Sequence, residues 1–134
     1  MTKQLITTIA ILACATSVHA TEYQFVADDR SSATRFCIAA GEGDVDGLRN
    51  QIRKLRQSSP HIQYKTIVNS IRCNGQIAAQ FANAYGATNT FEYLYRLTDD
   101  RNRKHIGRTA VEEVALDQPA TESPDVVIVR VSAR

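Results

Sequence analysis

From Ser31 to Tyr95 the apolar residues recur mostly at three- and four-residue steps, the period of helices with one face turned inward. Ala33, Phe36, Cys37 and Ala40 make a first such face, with Asp28, Asp29 and Ser31 as candidate N-caps and Gly41 and Gly43 to end the helix. Asp44 can cap a second helix, whose stripe is Val45, Leu48, Ile52 and Leu55. Gln57-Ser58-Ser59-Pro60 interrupts it. Ser59 followed by Pro60 suits the start of a third helix with Pro at its first position and Ile62, Ile67, Val68 and Ile71 as its buried side. The β-branched run Thr66-Ile67-Val68 leaves a strand over 64–71 as the alternative. Asn74-Gly75 marks a turn or helix boundary, because both residues tolerate positive φ. A fourth face follows in Ile77, Ala78, Phe81, Ala82 and Tyr85, closed by Gly86, and a fifth in Phe91, Leu94 and Tyr95, capped by Thr88 or Asn89.

Beyond this the pattern changes. Asp99–Arg108 mixes charges with no apolar period and reads as a loop. Thr109-x-x-Glu112 is a capping-box pattern for a short helix through Val111, Val114 and Ala115. Residues 117–124 are polar with two prolines and read as a linker. Asp125–Val131 is the strongest β signal in the chain, and an apolar strand needs a partner edge. The β-forming run Glu22–Ala27 is the obvious one. The pattern therefore predicts a mainly α domain over 21–116, a linker over 117–124 and a strand within 125–134, with a two-stranded β element joining the terminal stretches.

Met1–Ala20 fits no part of that domain. Lys3 gives it a positive start, Leu5–Thr16 is an apolar run broken only by Thr7 and Thr8, and Val18-His19-Ala20 is a small-x-small cleavage pattern. It reads as a secretory signal cut between Ala20 and Thr21, leaving about 114 residues in the periplasm. Ile11-Leu12-Ala13-Cys14 resembles a lipobox, so a lipid anchor on Cys14 is the alternative. No other stretch is apolar enough to cross a membrane, and none is expected in the mature chain.

Either route leaves Cys37 and Cys73 as an even pair, which in an exported small protein reads as a structural disulfide. The loop it would close, about 36 residues, is worth about 4 kcal/mol in the chain-entropy account. A free or metal-binding thiol pair and a redox pair are the alternatives. The absence of Cys-x-x-Cys spacing weighs against the last.

The net charge of +2 conceals an asymmetry. Residues 47–91 contain no acid, while Arg49, Arg53, Lys54, Arg56, Lys65 and Arg72 are basic. Arg49, Arg53 and Arg56 share one face of the second helix, beside its apolar stripe, and are the candidate anion-binding residues. The plainer reading of such a face is a solvated surface or a match for an acidic one.

Catalytic signals are missing. His61 and His105 lie apart with no zinc spacing, and no phosphate loop, nucleophile elbow or Ser/His/Asp order is present. Asp28-Asp29, Asp99-Asp100 and Glu112-Glu113 suit capping and solubility. No catalytic residue, metal or cofactor is expected.

Cys37–Leu48, with Ala39-Ala40, Gly43-Asp44 and Leu48, resembles the second half of an ankyrin repeat, but no second unit stands 33 residues away. A wider resemblance rests on the signal, Tyr23-x-Phe25-Val26-Ala27-x-Asp29, Cys37, Cys73-Asn74-Gly75 and Phe81-Ala82. These resemble a family of small exported proteins of Gram-negative bacteria that carry only a domain-of-unknown-function label. The resemblance implies a paired-cysteine periplasmic domain and brings no activity, ligand or catalytic residue. Two functions are expected in that order: a non-catalytic interaction or structural module for another envelope protein, and a binder of envelope polyanions through the basic face. No specific nucleic-acid partner is expected.

Overall fold

A computed structural model describes residues 21–107 and 126–134. Its described elements run β1 (Glu22–Ala27), α1 (Ser32–Glu42), α2 (Val45–Ser58), α3 (Tyr64–Ser70), β2 (Arg72–Cys73), β3 (Gln76–Ile77), α4 (Ala78–Ala84), α5 (Thr88–Leu97), α6 (Asp100–Arg103) and β4 (Val126–Val131). The domain is mainly α, with two small sheets. The expected helix over 109–115 and linker over 117–124, like Ala20 and Cys14, lie outside the described residues.

Helix α1 starts where Ser31 accepts a hydrogen bond from the Thr34 amide at 3.0 Å, and it ends at Gly43 in the left-handed region. Gly41, expected to end the helix, instead lies inside it. A Cβ built there would stand 2.6 Å from Cζ of Phe25, so the glycine is what lets β1 approach the helix. Asp44 caps α2 by accepting from the Gly47 amide at 2.8 Å.

The core is built from α1, α2, α4 and α5: Phe36, Leu48, Phe81 and Leu94 are fully buried, with Ile52 nearly so. Each such side chain contributes roughly 1.5–3 kcal/mol. The Thr90 hydroxyl donates to the Ala40 carbonyl at 2.6 Å, which ties α5 to α1 without leaving a buried donor unpaired.

Cys37 and Cys73 are joined, with Cα atoms 5.4 Å apart and neither residue exposed. Cys73 sits on a hairpin rather than at a simple helix boundary. Asn74 (φ 48°) and Gly75 (φ 81°) form its two-residue loop, and the double positive φ is the primed turn that suits the twist of paired strands. The Asn74 side chain donates to the Arg130 carbonyl at 2.8 Å and accepts from the Ser132 amide at 2.8 Å. The Arg72 and Arg134 backbones exchange hydrogen bonds of 2.9 and 3.1 Å. The tail after β4 therefore lies along β2, with Cys73 between two backbone partners.

Strands β1 and β4 pair as expected, in parallel, from Glu22 opposite Val126 to Ala27 opposite Val131. Phe25 fastens this sheet to the core, its ring 6.1 Å from Phe81 and 5.1 Å from Tyr85.

Three sequence expectations are corrected. The third helix begins at Tyr64, so Pro60 lies in the turn before it and Ile62 is exposed; the strand alternative over 64–71 does not hold. Helix α5 begins at Thr88 with Ala87 before it, and Tyr95 is exposed. The charged run after Asp99 is not all loop. Asp99 caps α6 by accepting from Asn102, and Asn69 of α3 accepts from the Asp99 amide at 2.9 Å and from the Asn102 side chain at 3.0 Å. Polar anchoring there replaces the apolar period.

Candidate anion-binding site

The side chains of Arg49, Arg53 and Arg56 leave α2 on an exposed face that flanks buried Leu48 and Ile52. Four and three residues apart, they span about 10 Å of helix. Two of them are held by aromatic rings from other elements. The Arg49 guanidinium lies 5.1 Å from the ring centre of Tyr93 on α5, and Arg56 lies 4.7 Å from that of Tyr64 at the start of α3. Arg49 also pairs with Asp46 at 3.5 Å, a solvent-exposed contact of small value. Arg53, between them, has neither an ion pair nor a ring partner among the described residues.

Two adjoining hollows flank Arg53. One, of about 500 Å³, is lined by Arg49, Arg53, Ile52, Tyr64 and Tyr93, with Asp46 at its edge. The other, of about 490 Å³, is lined by Arg53, Arg56, Gln57, Pro60 and Tyr64. Arg53 and Tyr64 belong to both. The three arginines were visible in the sequence as a group; the tyrosines were not, because Tyr93 comes from a helix 44 residues beyond Arg49 and Tyr64 lies across a turn from Arg56. The only signal was a pair of tyrosines at the rims of the third and fifth helical patterns.

A further hollow, of about 610 Å³, lies between α3 and α6 and includes Lys65, Asn69, Asp99 and Arg103. Its polar groups largely bond to one another. Asn69 alone takes four of these bonds, so the cluster explains the packing of α6 rather than a ligand.

The shifted titrations lie elsewhere. Burial, helped by nearby Asp44, raises the Glu42 carboxyl above the usual value, and burial with the neighbouring Tyr23 raises the Tyr85 phenol. Hydrogen bonds from Ser31 lower that of Asp29. Among the described residues no three of His, Cys, Asp and Glu lie together as metal ligands, and His61 and His105 are both exposed. No described helix is long and apolar enough to cross a membrane. Thr21, the residue after the expected cleavage point, is exposed at the head of β1.

A helical domain tied by one disulfide, carrying an open basic face, is the class of protein that the geometry defines. The chain belongs to the family described as "Protein of unknown function (DUF3718)", whose model matches residues 36–115. No curated protein and no solved structure matches it.

Proposed function

We propose that this is an exported, non-catalytic binding module that takes polyanions of the cell envelope on the Arg49/Arg53/Arg56 face. The observation that carries the reading is the support behind the arginines: two guanidiniums are braced on tyrosine rings, and the third faces both hollows. Bracing lowers the side-chain entropy that each arginine loses on binding. The fully buried disulfide suits an oxidising compartment and agrees with the signal at Met1–Ala20.

Binding to heparin and to lipopolysaccharide should weaken steeply with salt, and a triple Arg49/Arg53/Arg56→Gln variant should lose at least tenfold in affinity at low salt. Binding that survives unchanged in that variant removes the reading. Mass spectrometry of the exported protein should find Thr21 first; an acylated species starting at Cys14 would replace secretion by lipid anchoring.

A second reading, docking of an envelope protein, is favoured by a different surface. Val26, Val126, Val127 and Ile128 on the sheet are between 41% and 46% exposed. Cross-linking from β4 that captures a protein partner in the same place before and after removal of the three arginines would support it.

A further inference from the structure

The two hollows repeat one arrangement. Each has its own arginine, Arg49 or Arg56, a tyrosine ring beneath that arginine, and a saturated apolar side chain, Ile52 or Pro60. Arg53 stands between them. The residues that α2 supplies to the second hollow are displaced by about four positions from those it supplies to the first, roughly one helical turn or about 5–6 Å. That step is close to the length of one sugar unit in a chain. We infer that the face is a two-subsite cleft for an acidic oligosaccharide, with successive sugar rings beside Tyr93 and beside Pro60/Tyr64 and their acidic groups on Arg49, Arg53 and Arg56.

The inference rests on the polyanion reading and narrows it. Charge alone would accept any polyanion, but the hollows are not lined by charge alone. A bare polyphosphate has nothing to cover Pro60 and the tyrosine rings, whereas the C–H face of a sugar removes them from water. Single-stranded nucleic acid would need an open aromatic face for each base. Here one face of Tyr93 is taken by Arg49 and one face of Tyr64 by Arg56. Acid-free sequence from 47 to 91 leaves Asp46 as the single carboxylate in either lining, and Arg49 already holds it.

Titration calorimetry on the full exported protein tests this with five probes: galacturonate monomer, galacturonate dimer, a heparin-derived tetrasaccharide, inorganic polyphosphate of matched charge, and a short single-stranded DNA. The galacturonate dimer should bind at least tenfold tighter than the monomer, and the acidic sugars tighter than polyphosphate. Tyr64→Ala and Arg53→Gln should each lower affinity for the sugars about tenfold. Lys54→Gln, which removes one charge from the same helix outside both hollows, should change it less than twofold. Unaltered thermal melts verify that the variants are folded. Selective binding of the heparin tetrasaccharide with the same dependence on Tyr64 also supports the cleft, with sulfate as the acidic group. If polyphosphate binds as tightly as the sugars and Tyr64→Ala has no effect, the polyanion reading stands and the oligosaccharide inference falls. Tightest binding to DNA overturns the inference in favour of nucleic acid. No binding to any probe overturns both.

Discussion

Inside the loop closed by Cys37 and Cys73, Leu48, Ile52 and Val68 are almost completely shielded from solvent, whereas the paired strands β1 and β4 keep Tyr23, Val26, Val126, Val127 and Ile128 at 37–46% exposure. The helical region is held by side-chain burial between neighbours in sequence and by a covalent closure of its loop. The sheet is held by backbone hydrogen bonds between segments about a hundred residues apart, by Phe25 in the aromatic cluster, by Val129 and Val131 of β4 in the core, and by Asn74 and Arg72 along the end of β4. The family match follows the same division, since residues 36–115 take in both cysteines and exclude β1 and β4. A region in which most side chains are half-exposed opens at lower free energy than a closed core. The sheet should therefore come apart before the helices do.

Removing the disulfide attacks the more stable half and should have the largest effect. The Cys37→Ala/Cys73→Ala variant should lose about 2–5 kcal/mol or fail to fold at 37 °C, measured by thermal and urea melts. A double variant that melts with the parent would mean that burial alone holds α1 to the hairpin. Next in size is the seam between the regions. Gly41→Ala sets a methyl against the Phe25 ring and should cost about 1–3 kcal/mol, with faster amide exchange in β1. Asn74→Ala removes two hydrogen bonds to the β4 segment and places alanine at positive φ, for about 1–2 kcal/mol. Amide exchange should then speed up at Val126–Val131 while α1 and α2 keep their protection. Equal loosening of both would erase the distinction between the two regions.

The smallest effect is one of pH. Burial raises the Glu42 carboxyl, so the folded state holds its proton more tightly than the unfolded chain. Its contribution is fully present below the unfolded value, near 4.3, and is lost as pH rises through the higher folded value. Glu42→Gln should accordingly melt slightly higher than the parent at pH 7, and the gap should close as pH falls below 4. A gap that does not change with pH would place the effect in packing rather than in ionisation.

Much of the fold was legible because its signals are local. Ser31 and Asp44 cap the helices they were expected to cap, the Leu48/Ile52 stripe is buried, and Cys37 pairs with Cys73. The pairing of Glu22–Ala27 with the Val126 stretch followed from two β runs that had no other partner, but its parallel direction depends on the path between them and left no mark in either strand. What was misread depends on contacts distant in sequence. Ile62 is apolar yet exposed, because it precedes the helix that begins at Tyr64 and the chain first turns a side chain inward at Ile67. Helix α6 has no apolar stripe and exists through Asn69, some 30 residues earlier. At the candidate site the arginines could be grouped by helical spacing, while Tyr64 and Tyr93 could not, because no periodicity within a segment reports which ring will meet it from another.

The parallel pairing also fixes an order of events during synthesis. Strand β1 leaves the ribosome about a hundred residues before β4 exists, an interval of roughly 5–20 s at ordinary elongation rates. Over that interval Tyr23 and Phe25 have only the helices to settle on, and the aromatic contact with Phe81 and Tyr85 can form well before any strand pairing. Cys73 likewise emerges more than fifty residues ahead of Val126, so thiol oxidation can precede the arrival of the segment that later lies along β2. Wherever the chain enters an oxidising compartment N-terminus first, the ring can close before the last strand arrives, and that strand is received onto a surface already made.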